Sequence, residues 1–185
     1  MDTTVSDTSY GQAPALRRLY FIRFGFAIVW AALLIVTGRQ LGPVSAVLVV
    51  LYPLFDVAAA VIDARSSRST SSARGLYLNI AISTLAAIGL GIAATSGSPS
   101  VLRVWGVWAI VAGLIQLAVG INRRAMGGQW PIMLSGAISV LAGAAFIVMA
   151  SGPNPSIASV AGYAVLGGIF FLISALRLRS ATKDR

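Results

Sequence analysis

The chain contains no cysteine, no histidine and no glutamate, and only 10% of its 185 residues are charged. Disulfides, thiolate chemistry, imidazole general bases and zinc sites built on Cys or His are thereby excluded. An enzyme would have to rely on Asp, Ser or Tyr alone. No nucleophile–base pairing is visible among them, so no enzymatic activity and no cofactor is expected. The shortage of charge excludes more. A soluble domain carries about 25% charged residues, and this chain has too few to cover a water-facing surface. With 57% hydrophobic residues and a mean hydropathy of +0.86, it belongs to the membrane class.

The charges that are present give a net +9 and a pI near 11.3. A nucleic-acid binder would gather them on a soluble face among aromatics and polar donors. Here they fall in short gaps between apolar runs, and no nucleic-acid partner is expected. The N-terminus, MDTTVSDTSYGQAPAL, carries Asp2 and Asp7 before any Arg, unlike the basic start of a secretory signal peptide. Residues 1–18 are expected to form a disordered cytoplasmic tail and residues 180–185 a short basic one.

A bilayer core of about 30 Å requires roughly 20 mostly apolar residues per helix. Six segments qualify, at about 19–37, 43–63, 76–95, 101–121, 131–150 and 157–176. They are apolar all round rather than striped, as expected of helices facing lipid or one another. Gly38–Pro43, Ser96–Ser100 and Ser151–Ser156 separate them in pairs, with Gly and Pro supplying the turns. The expectation is an all-α membrane protein of six transmembrane helices arranged as three hairpins.

Orientation follows from Arg and Lys in the short loops. One side holds Arg17, Arg18, Arg23, Arg65, Arg68, Arg74, Arg123, Arg124, Arg177, Arg179, Lys183 and Arg185, and the other only Arg39 and Arg103. Both termini and the two longer loops are therefore expected in the cytoplasm. Arg103 is expected to snorkel to headgroups. Trp105 and Trp130 stand near span ends as expected interface anchors, whereas Trp30 and Trp108 lie deeper, as packing residues.

The second and third hairpins superpose with a shift of 55 residues, which lays Ser96-Gly97 on Ser151-Gly152, Gly113 on Gly168, Leu117 on Leu172 and Arg124 on Arg179. A two-span repeat enters the membrane in one direction each time, unlike the inverted repeats of alternating-access transporters. The stretches LYPLFDVAAAVIDAR (51–65), WAIVAGLIQLAVGINRR (108–124), GQWPIMLSGAISVLAGAAFIVMA (128–150) and AGYAVLGGIFFLISALRLR (161–179) carry a further pattern. The second and third hairpins each end in a Gly-containing helix closed by basic residues, and Ala64-Arg65 closes the first. Trp130 and Leu134-Ser135-Gly136 open the third. In this the chain resembles the HdeD-like short-repeat membrane proteins of bacteria. The resemblance implies a cytoplasmic-membrane protein linked to acid resistance, and it brings no catalytic residues with it.

Asp56 lies nine residues before Arg65, about 13 Å along its helix from the basic end. An ionised Asp at helix centre costs about 2.5–3.5 kcal/mol on insertion scales. Arg23, about 7.5 Å deep from the same side by residue count, is long enough to reach Asp56 or Asp63 in the adjacent helix. Two readings stand: a protonatable site facing a polar cavity, or a salt bridge that fixes how helices pack. Pro53, which cannot donate to the carbonyl of Val49, points to a kink or free carbonyl nearby. Asn79 and Gln116 lie in the same half and, with Asp56 and Arg23, are expected to form one polar cluster.

Gly106, Gly113 and Gly120 recur every seven residues, as do Gly136 and Gly143, which puts each set on one helix face. Such faces let backbones approach, either inside the bundle or between copies of the chain in a homo-oligomer. Because hairpins must pack before subunits can, the interior is the expected place. The loop from Arg65 to Arg74 has no regular pattern and suits anionic lipid headgroups at the cytoplasmic face. Three classes of function remain: a non-enzymatic membrane protein of acid or envelope stress, a small channel or proton-linked transporter using Asp56, and, well behind them, a membrane enzyme.

Overall fold

Apolar runs bounded by Gly, Pro and Ser become helices bounded by the same residues. A computed structural model of the chain describes residues 7–66, 72–122 and 130–183. It places α1 at Asp7–Thr37, α2 at Pro43–Ser66, α3 at Ser72–Ala94, α4 at Ser98–Asn122, α5 at Trp130–Met149 and α6 at Ser159–Lys183. There is no strand among the described residues.

The turns show why the helices stop where they do. Pro43 opens α2 at a position whose N–H has no helical partner. Just before it, the Gly42 N–H donates to Ser45 Oγ at 2.9 Å, a side chain reaching back to cap its own helix. Gly97 ends the α3–α4 turn with φ +100°, the left-handed backbone that favours glycine. Ser156 caps the start of α6, accepting from the Ala158 N–H at 3.3 Å. Its hydroxyl also donates to the Gly38 carbonyl at 3.3 Å, tying the α5–α6 turn to the α1–α2 turn.

Two expected tails are shorter than the sequence suggested. Residues 7–18 are helical and continue α1, and α6 runs to Lys183. Residues 1–6 and 184–185 lie outside the described residues.

Among the described residues, five helices are long and apolar enough to cross a bilayer. The apolar stretch of α5, Met133–Met149, is shorter. Large apolar side chains cover the outer faces, among them Val36, Leu85, Ile92, Leu141 and Val148. A water-soluble monomer rarely exposes contiguous apolar surface on this scale. This is the fold of a multi-pass membrane protein.

Each helix packs on its chain neighbours and α6 packs on α1, which closes a ring. The most extensive pairs are α4·α5, α1·α6 and α2·α3, rather than the expected hairpins α1·α2, α3·α4 and α5·α6. Glycine explains the first of these. A Cβ on Gly113 would lie 2.6 Å from the Gly136 carbonyl oxygen, and one on Gly106 would lie 2.6 Å from that of Gly143. The reverse approaches, Gly136 to Gly113 and Gly143 to Gly106, are 2.7 and 2.5 Å. The two glycine faces meet each other inside the chain, at a distance that admits a hydrogen and no methyl. Gly120 lies on the same helix, in α4.

The largest buried side chains gather at the end of the ring that carries the three short turns. Trp30, Leu34, Leu90, Leu102, Trp105 and Ile157 form the centre of this apolar core. The Trp30 and Trp105 rings stack with centroids 5.5 Å apart, and the Trp30 indole N–H donates to the Leu48 carbonyl at 2.7 Å. Trp30 is thus the packing residue expected. Trp105 is not an interface anchor, being 0% exposed, whereas Trp130 is 69% exposed. A tryptophan two turns inside a helix start buries when neighbouring helices offer it aromatic partners, as Trp30 and Tyr52 do here.

Replacing Gly113 or Gly143 by Leu is expected to lower unfolding stability by at least about 1–3 kcal/mol, the range for overpacking a filled contact. Gly91, with nothing within 4 Å of a built Cβ, is expected to tolerate Ala and gain up to about 1 kcal/mol. Unfolding in mixed micelles of increasing SDS content measures both.

Candidate functional site

Asp56 projects from the middle of α2 toward α1 and α3. Its Oδ1 lies 3.6 Å from Arg23 Nη2, and the two side chains are 22% and 13% exposed. Its Oδ2 accepts hydrogen bonds from Asn79 Nδ2 at 2.7 Å and from Ser83 Oγ at 2.9 Å. One carboxylate therefore joins three helices, and each of its oxygens is engaged. The Arg23 guanidinium also lies 4.8 Å from the centre of the Phe171 ring, which brings in α6 through a cation–π contact.

The helix geometry produces this meeting. Asn79 and Ser83 are four residues apart and share a face of α3. That face is turned to α2, where Asp56 stands. α2 runs unbroken as a helix through Pro53, itself fully buried beside the network.

A cavity of about 480 Å³ adjoins the network. It extends from Tyr52, Trp108 and Tyr163 at mid-depth to Ser174 and Arg177 toward the end of α6, with Asp56 and Asn79 in its wall. The Tyr163 hydroxyl donates to Ser139 Oγ at 3.0 Å, which holds that ring against α5. Beyond the deep end stands the apolar core around Trp30 and Trp105, with Trp105 and Trp108 edge to face at 5.3 Å. The chamber is thus polar and aromatic on one side and backed by an apolar plug on the other.

Of the four residues expected to cluster, Arg23, Asp56 and Asn79 come together. Gln116 does not join them. It lines the chamber, and its Oε1 is buried without a hydrogen-bond partner among the described residues. Trp108, expected only to pack, is a wall of the chamber. Ser83 was not singled out from sequence, although its spacing from Asn79 carried the signal. Tyr52 and Tyr163 gave no such signal, because aromatic residues in apolar spans are most often packing residues. Gly106, Gly113, Gly136 and Gly143 do not line the chamber. Of those expected as a packing face, Gly106, Gly113, Gly136 and Gly143 are used in the α4·α5 contact. The cationic loop residues Arg68, Arg123 and Arg124 lie outside the described residues.

Comparison with protein-family models, with curated proteins and with solved structures returns no match for this chain. What the site does must be argued from its own chemistry.

Interhelical hydrogen bonds in membranes are worth about 0.6 kcal/mol on average. Removing one member of a buried ion pair costs more, about 3–5 kcal/mol when burial is complete. With the partial exposure seen here, Asp56→Ala is expected to cost about 1–3 kcal/mol. The double variant with Arg23→Ala is expected to cost less than the sum of the two singles, by at least about 0.5 kcal/mol. An additive cycle in the same SDS titration would show that the pair carries no coupling.

Proposed function

We propose that this chain is a non-enzymatic protein of the bacterial cytoplasmic membrane that contributes to tolerance of acid or envelope stress. In this reading all six helices span the bilayer as two-span repeats, with both termini in the cytoplasm. The resemblance to HdeD-like membrane proteins supports the physiological role. The basic residues at one end of the bundle support the orientation, and anionic lipids would meet that face. The observation that carries the reading furthest is the Asp56 network. A carboxylate held from α1 and α3 at once fixes three helices in register, a scaffold feature more than a catalytic one.

The second reading is a small channel or proton-linked transporter that uses Asp56. Its support is that Asp56 lies in the chamber wall. Against it stands the apolar core of Trp30, Leu34, Leu90, Leu102 and Trp105 behind the chamber, which offers an ion no polar step outward.

Because the chain has no cysteine, single introduced thiols report topology directly. Ser151→Cys is expected to react with a membrane-impermeant maleimide in intact cells, and Ser69→Cys only after permeabilisation. The reverse pattern would invert the proposed orientation. For the role itself, a deletion strain is expected to lose survival after acid challenge and to recover with the wild-type chain. Rescue by a well-expressed Asp56→Asn variant would make the carboxylate structural, and failure of that variant would favour the proton-linked reading. A deletion strain with no defect would remove the stress role.

A further inference from the structure

The chamber has the size and lining of a ligand site. Its volume of about 480 Å³ falls within the range that holds small organic molecules, and clefts between the helices of a bundle are a common place for them. Tyr52, Trp108, Tyr163 and Phe170 give it aromatic walls. Gly167 keeps the α6 side open, since a Cβ built there would meet only the Tyr52 hydroxyl, at 3.8 Å.

Charge decides what kind of molecule fits. The carboxylate in the wall, Asp56, is already paired with Arg23 and accepts from Asn79 and Ser83. It has little to offer an incoming cation. At the mouth stand Ser174 and Arg177. Positions 167, 170, 174 and 177 follow the three- and four-residue spacing of one helix face. Side chains on a helix lean toward its N-terminus, so Arg177 leans back over Ser174 and the chamber rather than away from it. A guanidinium is well suited to grip a planar carboxylate with two parallel hydrogen bonds. The distance from Arg177 back to Phe170 is seven residues, about 10 Å along the helix axis, or one small aromatic acid in length.

From this arrangement we propose that the chamber binds a small aromatic carboxylate. The carboxylate sits on Arg177 with Ser174 beside it, and the ring lies among Tyr52, Trp108, Tyr163 and Phe170. The site requires no chemistry of the ligand and holds whether or not the chain serves in stress tolerance.

The test uses the full chain in phosphatidylcholine nanodiscs, with 2-naphthoate as probe and empty nanodiscs as the blank for partitioning into lipid. Equilibrium dialysis is expected to show saturable binding in excess of the blank. The ring-matched cation 2-naphthylmethylammonium is expected to show none. Arg177→Gln is expected to weaken naphthoate binding roughly tenfold or more, as loss of a charged hydrogen bond does. Gly167→Phe, which fills the chamber from a position with open space before it, is expected to abolish binding while leaving the SDS unfolding midpoint within the range of the wild type. Should Gly167→Phe fall outside that range, Gly167→Leu serves as the chamber-filling variant. Binding no greater than the blank would overturn the proposal. So would equal binding of the cation, or binding unchanged in a folded chamber-filled variant.

Discussion

Between apolar helices in an apolar surround, the hydrophobic effect has nothing to drive apart from lipid, and contact must be won by fit. In this chain the closest fit is the approach of α4 to α5, where four glycines bring each backbone to within a hydrogen's width of the other's carbonyls. Weak Cα–H···O contacts become available at such distances, and dispersion along the bare faces adds to them. The lateral positions of Trp105, Trp108 and Gln116 on α4, and of Ser135 and Ser139 on α5, follow from that approach. So does one whole wall of the chamber, which Trp108, Gln116, Ser135 and Ser139 line.

A different device holds the other side of the ring. Where α4 and α5 have glycine, α1, α2 and α3 have a charge and its partners. The Asp56 network is directional, and it sets rotation and depth as well as distance. Hydrocarbon makes an unmet carboxylate costly, so a helix that slipped by a turn would lose Arg23, Asn79 and Ser83 at once. Bare close packing on one side and a fixed polar node on the other leave a space between them that neither fills. The aromatic side chains of α2, α4 and α6 line that space without closing it.

Much of this was legible in the sequence, for identifiable reasons. Apolar length and Gly/Pro punctuation mark the helices because the bilayer sets both. Heptad glycines mark a packing face, and residues 106, 113, 136 and 143 form one. An isolated Asp in an apolar run must find partners, and Arg23 and Asn79 are among those found. Which helices pair most closely was not legible. Short turns suggest hairpins, yet complementarity of faces decides contact, and faces on separate helices are compared only once both exist. Trp105 misled for a related reason, since its place near a helix start says nothing of the aromatic neighbours that bury it. Ser83 and the chamber's tyrosines were hidden because hydroxyl and aromatic residues are common in spans that do nothing but pack.

The contact of α6 with α1 has a consequence for the order in which the protein is made. Arg23, Asp56, Asn79 and Ser83 all lie in the first three helices, so their network can form while the ribosome is still synthesising the rest. The Phe171 ring that meets Arg23, and every chamber residue from Tyr163 to Arg177, belongs to α6, which emerges later. Until then Arg23 has its carboxylate but not its aromatic face, and α1 waits with one flank turned to lipid. α1 thus enters the membrane well before the helix that completes its enclosure.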